Sequence, residues 1–528
     1  MSDQWSFPAA PTEGQREIKE ALARAPEAKK LPPRQWLKKN LFNNWFNAVL
    51  TIVLGAVSAY LLFRTVRFVF FTGRWEPVRE NLELFMIGQF PRDERWRIVG
   101  QVLLIAGAIG AAIGALRGAS IDRAHDTGEP RVVESWRTYF ASYWAVGLFV
   151  AVMLSAFVRS AGPWIVAICC LALAVIGYLI TGFLPTRLSI LRWTIAAVPA
   201  VISFQLLSGF SGWAWFFMTV ALAPLVRSEV GRLLTDTSAS LSWVLAAVGA
   251  AVGLYSFAVG GLGIFSFVFT LFGLYGLFQM ISGDRIDAGR TGATMVLGLV
   301  VFLVYSAIGL DGIDWTDWGG FHISLVATVA AIVLAFPLGM LLALGRRSSL
   351  PAVRVMSVAY IEFFRGAPLI TFLLSAQFFL GFFLGSDTQL SLITRAIAAI
   401  TLFSAAYVAE IIRGGLQAVP PGQIEAGQAM GLSQPKIMRL IVMPQALRAV
   451  IPAMVGQFIS LFKDTTLLSI IAINELLGVR ELVHAQADFR GFGIGETLVF
   501  VAFGFWAVAF TMSRESQRLE RRLGVGER

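Results

Sequence analysis

Lys463 and Asp464 stand side by side inside an apolar run, and Thr465 and Thr466 follow them. Charge inside a membrane-spanning segment is costly unless it is paired or lines a cavity, so these residues either tie helices together or face a polar group. Glu410 and Arg413 can share one helix face near the end of another run. Glu362 and Arg365 border a third run, just before Gly366 and Pro368, where a helix can be kinked or broken. For each pair a structural ion pair is the simpler account. Metal and disulfide chemistry are poorly served: His125 has no companion at metal spacing, and Cys169 and Cys170 are adjacent within an apolar run.

The elements that must position these groups are set by composition. The chain has 528 residues, 56% hydrophobic and 14% charged, and the charge is far below the roughly 25% of soluble domains. This excludes a solvated globular enzyme and leads to an all-α polytopic membrane protein with about fourteen transmembrane helices. The apolar runs fall at 44–63, 98–116, 139–158, 163–183, 189–208, 212–227, 241–259, 262–281 and 292–310, then at 322–345, 355–384, 391–412, 449–471 and 493–512. The net charge of +10 comes mostly from arginines in short breaks between runs, the pattern of cytoplasmic loops rather than of a nucleic-acid surface.

With the basic tail around Lys29, Lys30, Arg34, Lys38 and Lys39 inside, the arginine-bearing loops become cytoplasmic, and "SGFSG", "DGIDWTDWGG" and "GSDTQ" become external. Both termini are then cytoplasmic. The external loop 72–97 breaks the rule with five arginines, partly offset by five acidic residues. No short apolar segment followed by a cleavage site precedes the first run, so a cleaved signal peptide is not expected. Gly110, Gly114 and Gly118 repeat at four-residue spacing, which suits close helix approach.

The stretch 405–452 is longer than a connection needs. Glu425 and Ala426 are expected to start a short helix with small residues at 426, 427 and 429, which Gly431 stops. Ser433 is placed to cap a second short helix running toward Pro444. Two short helices at an angle, with a compact small-residue face, make a knob suited to a groove on another protein.

Residues 425–444 resemble the cytoplasmic signature of ATP-binding-cassette importer permeases: E-A-A, three residues, G, nine residues, I, one residue, L-P. Here it reads Glu425, Ala426, Gly427, then Gly431, Ile441, Met443 and Pro444, with Gly427 and Met443 replacing alanine and leucine. "FFRGAPLI", "AEIIRGGLQAVPPGQIEA" and "FKDTTLLSII" resemble stretches of the polar amino-acid branch, and "WEPVRENLELFMIGQFPRDERWRI", "WGG" and "MSRESQRLERRLG" resemble the larger permease of broad-specificity glutamate, glutamine and aspartate systems.

The resemblance implies a cytoplasmic tail over 1–43, a region with extra spans over 44–320, a five-helix permease core over 321–513 with its coupling loop at 413–448, and a cytoplasmic tail over 514–528. It implies that Gln423, Glu425, Ala426, Gly427, Gly431, Leu432, Ile441 and Pro444 couple to ATPase subunits, and it makes Lys463, Asp464, Thr465, Thr466, Glu410, Arg413 and Arg365 candidates for a zwitterion pathway. The chain would be a non-enzymatic subunit of the bacterial inner membrane, without a cofactor of its own. ATP and magnesium would sit on an ATPase dimer, since none of the seven lysines follows a glycine as a phosphate loop requires. Further partners would be a second homologous permease, a periplasmic amino-acid-binding protein and membrane lipid, with no nucleic acid. The same machinery for another small polar solute is the alternative; an ion-coupled carrier would need ionisable relays and inverted repeats, and a scaffold would not need a knob.

Overall fold

The structure, a computed structural model, describes residues 32–127, 136–154, 162–185, 188–208, 217–226, 228, 239–260, 264–283, 285–313, 317–379 and 390–523. Lys29, Lys30, Arg131 and the turn 385–389 lie outside the described residues. The chain divides into two compact units, Met1–Arg74 and Trp75–Arg528. The first holds α1 (Pro33–Asn40) and α2 (Trp45–Arg67), which runs on through a π turn to Thr72. Asn44 caps α2 by accepting from the Asn47 amide at 2.7 Å, and Thr51 Oγ1 donates to Leu41 O at 3.0 Å, folding the connection back beside the second turn of α2.

The second unit opens with short helices α3 (Glu76–Glu80) and α4 (Leu82–Ile87), then α5 (Arg95–Thr127), α6 (Trp136–Leu154), α7 (Gly162–Phe183), α8 (Ser189–Ser208), α9 (Ala239–Gly260), α10 (Ile264–Ile281) and α11 (Arg285–Ile308). The core follows as α12 (Gly320–Arg346), α13 (Pro351–Arg365), α14 (Leu369–Phe378), α15 (Leu392–Ala418), α16 (Pro421–Ala429), α17 (Gln434–Ile437), α18 (Met443–Asp464), α19 (Val479–Ala485) and α20 (Ile494–Leu523). Helices dominate because lipid offers no partner for backbone N–H and C=O groups, which must pair within each segment.

Nine described helices are long and apolar enough to cross a membrane, and α13 with α14 would make a tenth. Four shorter apolar stretches, Ala141–Val150, Phe217–Val226, Ser240–Tyr255 and Thr270–Ile281, lie where other runs were expected. The run 355–384 is not one straight span: α13 and α14 meet at 99°. Gly366 closes α13 and Pro368 caps α14, as a proline with no N–H and a fixed φ dictates.

Small residues set the packing of the extra helices. A Cβ on Gly110 would lie 1.9 Å from Ala174 O, and one on Gly114 would lie 2.2 Å from Thr181 Oγ1. Thr181 donates to Ala111 O at 2.7 Å, so α5 and α7 touch backbone to backbone. Gly249 against Gly292, and Gly273 against Gly253, repeat the device among α9, α10 and α11. Gly110→Val should therefore lower the thermal midpoint of the detergent-solubilised chain, at a cost of about 3 kcal/mol. Gly147→Val, where a Cβ meets nothing within 4 Å, should leave it unchanged.

The extra helices also sheathe the core. Ile98 of α5 and Leu207 of α8 share one apolar cluster with Ile323, Leu373, Ile400 and Leu461. Phe149 of α6 packs on Phe321 at 4.9 Å and Phe500 at 5.7 Å between ring centres. Val301 and Tyr305 of α11 lean on Val198 and Val201 of α8, and the Tyr305 hydroxyl bonds Gln205. Arg97 ties the ends together, donating to Leu206 O at 3.2 Å and Asp311 O at 2.5 Å while paired with Glu94.

Candidate functional site

The knob begins earlier than its sequence suggests. α16 starts at Pro421, not at Glu425, because a proline at the first helical position gives up an N–H that would have no partner there. It ends in a complete reversal: the Gly431 N–H donates to Gln428 O at 2.9 Å and the Leu432 N–H to Gly427 O at 3.1 Å. Gly431 has φ +73°, a left-handed conformation that costs other residues about 1 kcal/mol or more.

The second helix also differs from expectation. It does not stop near Pro444; Gln434–Ile471 forms one 38-residue helical run, with a π turn at Met438–Val442 and a 3-10 turn at its far end. Pro444 sits in the first turn of α18, where its missing N–H is tolerated. Ser433 occupies the cap position, but its side chain makes no capping bond; only its carbonyl takes the Ile437 amide, at 2.9 Å.

Gly427 is the buried residue of α16, and a Cβ there would lie 3.0 Å from Ile437 Cγ1 and Ile441 Cδ1. A glycine where the resembled signature has alanine thus draws the two helices together. Ile437 and Val442 are buried with Ile361, Ile412, Leu416 and Ala446, so the base of the knob is fixed to α13, α15 and α18. Gln423, Glu425, Ala426 and Pro444 remain exposed, and Gln445 reaches Gln423 at 3.4 Å. The result is a rigid, exposed cap of one short helix on the end of a long one.

The pathway candidates separate into two groups. Glu410, with only 15% of its side chain exposed, meets Arg346 at 2.5 Å, Arg413 at 2.8 Å and Arg365 at 3.7 Å, and Glu362 lies 3.6 Å from Arg346. The Arg365 guanidinium also lies 5.7 Å from the Tyr407 ring centre. Glu410 and Arg413 share a face as expected, while Arg365, read in the sequence with a different span, joins the same cluster. Arg346, one of the arginines in the breaks between apolar runs, completes it; its place at the very end of an apolar span is the signal in the sequence.

Lys463 is exposed and Asp464 half-buried at the end of α18. Thr465 is buried and donates to Phe462 O at 2.6 Å, and Thr466 donates to Lys463 O at 2.8 Å. The hydroxyls thus satisfy the backbone where the helix tightens. These four residues and the Glu410 cluster share no hydrogen bond or ion pair among the described residues. A hollow of about 400 Å³ beside Pro444 is lined by Phe336, Leu447, Val450, Ile451 and Met454, with Arg448 at its edge. Its lining side chains bring one guanidinium and no carboxylate, a poor fit for a zwitterion.

Residues 335–524 match the family described as the binding-protein-dependent transport system inner membrane component. The chain is 48% identical over 206 residues to the glutamate/glutamine/aspartate/asparagine transport system permease protein BztC of Rhodobacter capsulatus, covering 39% of this chain and 47% of that one. It is 44% identical over 209 residues to the inner membrane amino-acid ABC transporter permease protein YhdY of Escherichia coli, covering 39% and 56%. The chain thus spans about half the length of these two relatives. It is also 36% identical over 204 residues to a probable glutamine ABC transporter permease protein, GlnP, of Bacillus subtilis, covering 38% of this chain and 91% of that one.

Proposed function

Because the chain belongs to the family of inner membrane components of binding-protein-dependent transport systems, we propose that it is a permease subunit of an ATP-driven importer of polar amino acids in a bacterial inner membrane. The observation that carries this reading is the exposed cap of α16, held on the long helix Gln434–Ile471 by Gly427 against Ile437 and Ile441. A partner ATPase dimer, holding ATP and magnesium, grips Gln423, Glu425 and Ala426. Its closure moves α16 and, through the buried isoleucines, the run that ends at Ile471 on the expected external side.

A second, homologous permease completes the pathway, and a periplasmic binding protein delivers the amino acid. The names of BztC and YhdY support glutamate, glutamine, aspartate and asparagine as the first solutes to try. Affinity purification of the tagged chain from its native membrane, followed by reconstitution in vesicles, tests the reading. Co-recovery of an ATPase and a second permease, with ATP-dependent uptake of these amino acids, is the expected result; a folded chain recovered alone and inert to ATP overturns it.

A further inference from the structure

Glu475 has no exposed surface. It lies between Ile471 and α19, in a segment the expected topology places outside the membrane. One carboxyl oxygen, Oε1, accepts both the Leu477 amide at 2.9 Å and the Gly478 amide at 2.8 Å. The other, Oε2, lies 3.4 Å from Ser324 Oγ in the second turn of α12. The Gly320 amide donates to Asn474 O at 2.8 Å, and Gly320 and Glu475 form an isolated parallel bridge. Gly320 has φ +61°, and a Cβ there would meet Phe85 O at 2.5 Å, so the start of α12 is pressed between α4 and this segment.

The charged and titratable groups on the surrounding elements form no ion pair with Glu475 among the described residues. On α12, His322 Nε2 bonds Gln101 Oε1 at 2.8 Å. On α4, Glu83 pairs with Arg95; on α3, Glu80 pairs with Arg79, and Glu76 stands at the helix start. On α19, Arg480 and Glu481 follow in sequence, and His484 bonds Phe489 O and Thr497 Oγ1. Glu496 lies in the first turn of α20. Among the described residues no cation pairs with Glu475.

A buried carboxylate needs a counter-charge or donors on both oxygens. Here Oε1 takes both amides, while Oε2 has one donor, the Ser324 hydroxyl at 3.4 Å, which is shared with Gly320 O at 3.4 Å and itself accepts the Leu476 amide at 3.4 Å. With no cation beside it and one long, shared donor on Oε2, the charged form is poorly compensated in this buried site, and the neutral acid is favoured. Burial pushes the Glu475 carboxyl up to about 7, against the pull of the two amides and Ser324.

We propose that Glu475 is a positioning residue for transport: as a neutral acid it latches the segment 472–485 onto the start of α12, and on losing its proton it lets that segment lift. The proposal rests on the importer reading for its role in uptake, but not for the latch itself. The sign follows from linkage. A carboxyl whose value in the latched state lies above its free value stabilises that state at low pH, and the contribution is lost as pH rises through about 7. The opening constant therefore rises by about tenfold between pH 6 and 8.

Hydrogen exchange of amides 476–485 in the full chain, corrected for intrinsic rates, reads this constant directly. The wild-type chain should show the tenfold rise, while Glu475→Gln, which keeps an acceptor and a donor in the same places, should stay flat. An equal rise in both chains overturns the latch. Ser324→Ala removes the one donor to Oε2 and should move the midpoint up; a midpoint that stays or moves down means that Ser324 does not hold the carboxyl and overturns the latch contact. In the reconstituted complex Glu475→Gln should flatten the pH profile of uptake, and a profile like that of the wild type removes the positioning role while leaving the importer reading intact.

Discussion

Glu425→Arg should abolish ATP-driven uptake while the chain still inserts and folds. Glu425 is exposed on α16, and its neighbour Gly427, not Glu425 itself, makes the packing contact with Ile437 and Ile441. Charge reversal therefore costs the isolated chain almost nothing, since an exposed substitution away from caps and cores stays within about 0.5 kcal/mol. Against an ATPase groove that meets Glu425 with a cation, the same change would set like charge against like, at several kcal/mol. A penalty of about 3 kcal/mol is roughly a hundredfold in ATPase affinity. Uptake in vesicles, co-purification of the ATPase and thermal unfolding of the variant together check this. Unchanged uptake sinks the coupling role; a lowered unfolding midpoint would show instead that the knob itself had been damaged.

Glu410→Gln should strongly destabilise the core. Glu410 is the shared counter-ion of Arg346, Arg413 and Arg365, and its replacement leaves three guanidiniums converging on a neutral amide. Removing one partner of a buried pair costs about 3–5 kcal/mol, and the partial exposure of these arginines brings the expectation to about 2–3 kcal/mol. Arg413→Gln should cost less, because Glu410 keeps Arg346 at 2.5 Å. Thermal unfolding of both variants in detergent measures the difference. Uptake per folded chain separates the two roles of the cluster: a structural cluster leaves it unchanged, whereas a pathway cluster alters the solute preference.

What the sequence reveals here is local. Glycine at four-residue spacing marks the α5–α7 contact, Gly366 and Pro368 mark the bend, and the reversal at Gly431 is legible because only a left-handed residue closes a helix that way. The knob's boundaries were less legible. Two consecutive prolines start α16 as well as an acidic residue would, and the continuity from Gln434 to Ile471 depends on a π turn that no residue type announces. The Glu410 cluster joins α12, α13 and α15, and Glu475 meets Ser324 from 151 positions away. Such pairings follow from how helices stack, which spacing along one helix does not encode. Glu475 did carry a signal: an acid within an apolar stretch just before a helix start.

The sheath of added helices has a consequence for the core it covers. His322 on α12 keeps its hydrogen bond through Gln101 on α5, and Gly319 and Gly320 are narrow because α4 lies against them. These residues suit a core that is never bare. Stripped of α4 and α5, the five-helix portion would turn an imidazole with a missing partner and two uncovered glycines toward its surroundings. The contacts of α4 and α5 with α12 thus bind sheath and core into one packed unit. Removing α4 and α5, or exchanging them for unrelated helices, would leave these contacts of α12 unmet in this chain.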